Sequence, residues 1–428
     1  MPNPPAMPRI RSQHYGVLAG LLAALSMIGP FSIDAIFPGF DQIAGEFGVG
    51  AEAMQQTVSV YLLAYAGMSL FHGALSDAYG RKPVIVLGMF CYALASAGAA
   101  VAGSFTSLLV FRALQGLCAG AGIVVGRTVV RDRLEGAAAQ RLLSRALMIF
   151  GIAPAIAPMI GAGLLGWDGW RGIFWFLAAF AVLLALACSL LLAESHPHHA
   201  RTRLAPGPLL AGYRAIAADG RFWQLTISAT VNFSALFLYI VSAPMIVRVH
   251  LGLGPDGFPW LFIPVVLGLV AGSWLSGRLA GRASVRTTVQ LGYLAMLAAC
   301  GWHLVLAYAM TTPRVPWTTL PLLLEGIGVQ LAFPTLTLLL LDRFPQRRGS
   351  VSAVQATFSL LFNAGVAGLL SPLLSGSMSA LAWGALGLTV IGALSWLRCE
   401  SRMRRDPAQV PAFGIDAVPV SSEAVEPA

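Results

Sequence analysis

Apolar runs of about twenty residues recur along almost the whole chain, broken by short polar turns. Val84 to Val101 and Ile173 to Ala193 hold no charged side chain at all. A helix of that length rises about 30 Å, the thickness of a bilayer's hydrocarbon core. Lipid offers the backbone no hydrogen bonds, so each run must satisfy its own, as a helix does. The period-two alternation of a membrane-spanning barrel is absent. Composition agrees: 11% of residues are charged and mean hydropathy is +0.75, against about 25% charged in a soluble domain. The chain therefore reads as an all-α integral membrane protein.

The runs predict twelve transmembrane helices. The first six are Gly16 to Phe37, Val58 to Leu75, Val84 to Val101, Leu108 to Val130, Leu142 to Leu165 and Ile173 to Ala193. A polar break follows, His196 to Gly220, with Arg201, Arg203, Arg214 and several histidines and prolines. The last six are Phe222 to Val247, Trp260 to Leu279, Val289 to Met310, Trp317 to Leu341, Ser350 to Leu374 and Leu381 to Leu397. This gives a six-helix N-terminal half (1–195), a central loop (196–220), a six-helix C-terminal half (221–400) and a tail (401–428) expected to be disordered. The Gly73-Ala-Leu-Ser-Asp77 turn before helix 3 lines up with Ser273-Trp-Leu-Ser-Gly277 before helix 9. Halves of that kind relate by a pseudo-two-fold axis along the membrane normal.

The net charge of +9 speaks to topology and not to nucleic acid. Of 27 Lys and Arg, 22 fall in the N-terminus, alternate turns and the C-terminal segment. Arg171, Arg248 and Arg314 fall in the opposite turns, and Arg112 and Arg127 within helix 4. That bias sets both termini in the cytoplasm. The five cysteines have neither metal nor redox spacing, and no cofactor is implied. No nucleophile–base pair or phosphate loop appears, so an enzyme is not expected.

Intramembrane polar residues are costly and mark candidate sites. Asp34, one turn after Pro30 in helix 1, is the first. It either carries a proton or ends the helix at the outer surface. Arg112 in helix 4 lies at similar depth, keeps its charge at any accessible pH, and is the natural partner for Asp34. Gln115 shares its face at i+3. In the second half Glu325 is the lone intrahelical acid. It, His303 and Asn232 are each open to three readings: cavity wall, second proton site or packing. In helix 5, Pro154 and Pro158 share a face among small residues that include Gly161.

Several stretches together resemble the Bcr/CflA subgroup of drug:proton antiporters in the major facilitator superfamily. They are SIDAIFPGFDQIAGEFGV (Ser32 to Val49), GALSDAYGRKP (Gly73 to Pro83), RALQG (Arg112 to Gly116), VVRD (Val129 to Asp132), the Pro154–Pro158 segment and GWRGIFWF (Gly169 to Phe176). The second half resembles the family in architecture alone. The resemblance implies two pseudo-symmetric six-helix halves and export of bicyclomycin- or chloramphenicol-type amphipathic compounds against protons. It implies a bacterial inner-membrane monomer. It assigns gating to Gly73, Asp77, Gly80, Arg81, Lys82, Arg131 and Asp132, and the antiporter bend to Pro154, Pro158 and Gly161. Asp77, Arg81 and Asp132 would latch the halves, with Asp77 facing the start of helix 11. Proton coupling would rest on Asp34 and Arg112, to which the reading of the residues themselves adds Glu325. Phe31, Tyr61, Tyr65, Gln115, Asn232, Phe233, Phe237 and Tyr239 would wall a cavity between the halves. A proton-coupled transporter of a metabolite, such as a sugar or amino-acid derivative, is the alternative.

Overall fold

The computed structural model describes residues 12–133, 136–196, 201, 206–279, 282–310, 312–344 and 347–405. The expected tail beyond 405 lies outside them. The described residues are helical and contain no strand. Eleven stretches are long and apolar enough to cross a membrane. One of these, within Gly136–Leu191, breaks at Asp168 and at Gly169 with φ +56°, and so comprises two helices. The twelve are α1 (Ser12–Asp34), α2 (Ala51–Tyr79), α3 (Arg81–Ala100), α4 (Phe105–Arg133), α5 (136–167), α6 (170–191), α7 (Gly220–Val241), α8 (Pro259–Leu279), α9 (Val285–Ala309), α10 (Pro321–Arg343), α11 (Arg348–Gly365) and α12 (Met378–Arg405). A π-helical turn, Val366–Leu370, and Ser371–Leu374 carry α11 onward. The predicted turns hold. Most helix ends run a few residues past the predicted bounds, because apolar runs mark the lipid-facing length and not the caps, but α1 stops at Asp34, α7 stops at Val241 and α10 starts only at Pro321, each short of its predicted bound.

In the first half α2 and α3 pack on α4, and α1 and α3 pack on the 136–191 stretch. In the second half α8 and α9 pack on α10, and α7 and α9 on α12. The same pairings thus recur six helices on. The halves meet along α2 and α11, and where α8 packs on the 136–191 stretch. An even number of spans puts both chain ends at one face of the bundle, the terminal face; the other is the distal face.

At the distal face the halves are tied together. Gln55 donates to the Val241 carbonyl at 3.0 Å, Gln56 to Gly368 at 3.0 Å and Ser59 to Ala364 at 2.9 Å. Arg248 reaches across to Asp41 at 2.6 Å, and the Phe37 and Phe262 rings stack at 6.5 Å. Asp41 belongs to a short helix, Phe40–Phe47, closed by Gly48 in the left-handed conformation. Apolar Phe40 and Ile43 turn inward there while Asp41, Gln42 and Glu46 face out. Arg171 grips Glu46 at 2.6 Å and pins this helix to the start of α6.

At the terminal face the central loop is not wholly irregular. Pro206–Ala217 is a helix. Its Tyr213 hydroxyl donates to the Leu70 carbonyl of α2 at 2.9 Å, and the helix also packs on α11. It therefore touches both halves. Asp219 then caps α7 through the Arg221 and Phe222 amides and binds Arg343 of α10 at 2.6 Å.

Candidate functional site

Asp34 is the last residue of α1 and is 4% exposed. A helix C-terminus carries partial negative charge, a poor place for a carboxylate. α5 comes against α1 beside it. A Cβ on Gly161 would lie 2.0 Å from the Ala35 carbonyl oxygen, so only glycine permits this approach. The small residues of helix 5 thus serve a particular contact, one residue from Asp34.

Arg112 is fully buried in α4. The expected Asp34–Arg112 ion pair does not form: among the described residues no Lys, Arg or His nitrogen lies within 4.0 Å of the Asp34 carboxylate. Neutral groups hold the guanidinium instead. Its Nε donates to the Thr57 carbonyl at 3.0 Å and its Nη1 to Gln115 Oε1 at 2.7 Å, and it lies 4.7 Å from the Tyr61 ring centre. Among the described residues its Nη2 has no hydrogen-bond partner. Gln115 passes the bonding on, donating to Ser96 Oγ at 2.7 Å, and Ser96 donates to the Tyr92 carbonyl at 2.8 Å. The Tyr92 hydroxyl meets Ser32 Oγ, two residues before Asp34 in α1. A polar chain thus runs from the fixed charge in α4 across α3 to α1. Ser32, Tyr92 and Ser96 escaped the sequence reading because single hydroxyls in apolar helices are ordinary there.

The α2–α3 turn is built around Gly80, at φ +102°. A Cβ there would fall 2.6 Å from Glu194 Oε2. Arg81 binds Asp77, Ser76 Oγ at 2.6 Å and Asp132 Oδ2 at 3.1 Å. Gly73 supplies the carbonyl that Ser76 Oγ donates to. Ser195 donates to Asp132 at 2.8 Å. Glu194 accepts from the Arg81 amide at 3.0 Å and the Lys82 amide at 3.2 Å, capping α3. Burial pushes the Glu194 carboxyl up, but the His196, Arg81, Lys82 and Ser195 amides outweigh it and hold the group below the usual carboxylate range. The sequence reading missed Glu194. Its signal was an acid at the basic end of helix 6.

The expected latch between halves is not made by this network. Its partners all belong to the first half and its end, and Asp77 is half exposed with Arg81 as its bonded cation. The halves are tied instead at the distal face and along α2 and α11. The Arg131 side chain lies outside the described residues.

The expected cavity residues separate into groups. Phe31 packs on Phe176 and Phe180 of α6, within the first half. Tyr61 and Gln115 serve Arg112. Asn232 donates to Met296 Sδ at 2.9 Å, and Tyr239 stacks on His303 at 4.6 Å, both within the second half. Phe237 is buried against Phe233. Tyr65 and Phe233 alone of the eight are half-buried, with surface left to offer a ligand. Inward-pointing aromatics serve the two halves' own cores before any space between them. In helix 5, Pro158 is buried and Pro154 half-buried. Glu325 is fully buried in α10.

Comparison with known proteins bears on the family. The chain is 28% identical over 386 residues to the uncharacterized MFS-type transporter YdgK of Bacillus subtilis strain 168, covering 89% of this chain and 94% of that one. It is 28% identical over 390 residues to multidrug resistance protein D of Escherichia coli K12, covering 90% and 95%. The solved proton:xylose symporter XylE, 13% identical, superposes with a TM-score of 0.73 over 96% of this chain and 98% of its own, a likeness of fold. The family model described as Major Facilitator Superfamily matches residues 20–365. With that match over most of the chain, on twelve helices in two repeated halves, this protein is a member of the major facilitator superfamily of transporters.

Proposed function

We propose that the protein exports small amphipathic drugs, of the bicyclomycin or chloramphenicol type, in exchange for protons by alternating access. The observation that carries the reading is Asp34: a carboxyl enclosed at the end of α1, with no cation within 4.0 Å among the described residues. Ionised, such a group is costly to bury; with a bound proton the cost disappears. Arg112 adds a buried positive charge with an unfilled Nη2 donor, ready for a carboxylate when the helices move. The resemblance of the first half to drug antiporters and the multidrug-resistance name of a relative support the choice of substrate.

In this scheme the termini are cytoplasmic in a bacterial inner membrane, and the protein works as a monomer. Drug enters between the halves from the terminal face, past Tyr65 and Phe233. The distal face then opens, Asp34 takes a proton, drug leaves, and the return delivers the proton inward. Drug and proton favour opposite states of one equilibrium. One proton moving down about 100 mV supplies about 2.3 kcal/mol. One pH unit adds about 1.4 kcal/mol. Together they hold a neutral compound at a gradient of a few hundred-fold, at about 1.4 kcal/mol per decade.

A susceptibility panel in an efflux-deficient host tests the substrate class. Expression should raise resistance to chloramphenicol-type compounds, and a protonophore should abolish their efflux from vesicles. Efflux that persists without a proton gradient would overturn the coupling; a panel without effect would overturn the substrate.

A further inference from the structure

The second half holds a buried acid that this coupling scheme leaves unused. Among the described residues Glu325 Oε1 has no hydrogen-bond partner, and Oε2 meets the Cys300 thiol at 3.8 Å. That thiol also lies 3.7 Å from Thr389 Oγ1 of α12. Among the described residues no Lys, Arg or His nitrogen lies within 4.0 Å of the carboxyl. The titratable groups around it are few. α9 contributes Cys300 and His303, and α7 contributes Tyr239, whose ring stacks on His303. α8 offers only Arg278, in its last turn at the terminal face. α11 offers only Arg348, its first residue, at that same face.

A path to the distal face begins beside this group. His303 lies one turn from Cys300 along α9, buried, with its ring stacked on Tyr239. Among the described residues His303 Nδ1 and the Tyr239 hydroxyl both lack hydrogen-bond partners. Buried polar groups are ordinarily satisfied, so these open atoms invite a water or a proton. His303 also lines a cavity of about 30 Å³ with Met310, Pro313, Thr318 and Met378. Those four belong to the α9–α10 connection and the start of α12, at the distal face. The space suits water, which needs roughly 10–15 Å³ and polar neighbours.

We infer that Glu325 is a second proton-binding site, exchanging with the distal face through the water-sized cavity beside His303. The step is proton transfer alone. The carboxyl gives its O–H proton to a water that passes it on to the cavity His303 lines, leaving carboxylate and hydronium, and the reverse reloads it. Proton binding here does not depend on the drug-antiport reading; its use in coupling does. With Asp34 and Glu325 both loaded, a cycle carries two protons. Exchange for a monovalent cationic drug then moves net charge, so membrane potential drives export of cations that a one-proton exchanger would move electroneutrally.

The test needs no transport and no drug. Difference infrared spectroscopy on the full-length protein in bilayers, titrated with pH, reads protonated carboxyls directly. Asp34→Asn should keep one titrating buried carboxyl band, and Asp34→Asn/Glu325→Gln should lose it. His303→Phe, filling the cavity, should keep the band and slow its hydrogen–deuterium exchange. No titrating band in Asp34→Asn, or a band surviving in Asp34→Asn/Glu325→Gln, overturns the site; unchanged exchange of that band when His303→Phe is added to Asp34→Asn overturns the route. If Glu325→Gln fails to fold, Glu325→Asp gives the same reading through a shifted band, and an unshifted band overturns the site.

Discussion

Arg112 shows how a buried charge can be held without a countercharge. A carbonyl, an amide oxygen and an aromatic ring share the guanidinium, each from a fixed direction. Arg112→Lys keeps the charge and loses the fork. Proton-driven flux should collapse while the protein still folds, and vesicle flux beside a melting curve will show both. Gln115→Leu strands donors and acceptors at both ends of the amide. It should destabilise the first half by about 1–3 kcal/mol, the cost of a buried unpaired group, read from chemical denaturation. The sequence showed that Arg112 and Gln115 share a helical face, because spacing alone fixes that. It did not show their partners. Thr57 lies 55 residues away and offers a backbone carbonyl, which any residue could supply.

Among the elements, α1 and α5 meet through Gly161, and α7 and α10 through Asp219 and Arg343. Gly161→Leu must push α5 off the Ala35 carbonyl beside Asp34. Transport should be lost even if expression survives, and a melting point lowered by several degrees would report the same displacement. Asp219 gives a pH dependence outside the membrane. Burial pushes its carboxyl up, but Arg343 and the Phe222 and Arg221 amides outweigh this and hold it below the usual range. A carboxylate so depressed contributes stability in full above its ordinary value, about pH 4, and loses it as pH falls through the folded value. Melting curves of wild type and Asp219→Asn should therefore differ at neutral pH and converge in acid. The spanning helices were legible from apolar length, and the Gly80 turn from its residues. The Pro206–Ala217 helix was not, because its prolines and the neighbouring histidines and arginines read as a polar break while Leu209, Leu210 and Tyr213 carried the amphipathic signal.

For the whole molecule, the halves are joined at the distal face and along α2 and α11 as far as Ser69 and Thr357, whose hydroxyls lie 2.8 Å apart. A disulfide formed in Ser69→Cys/Thr357→Cys should arrest rocking, stop transport, and release it again with reductant. Continued transport with the cross-link intact would mean that this seam does not part. The cross-half contacts were beyond the sequence, since the two halves share few motifs and half of the ties end on backbone carbonyls that any residue could supply. The account rests on Asp34 gaining and losing a proton as the halves alternate. Proton-coupled drug flux by Asp34→Asn in proteoliposomes, beside drug binding by the same variant, tests this most directly. Loss of flux with binding retained is the expected result; flux equal to wild type under the same gradient would contradict it.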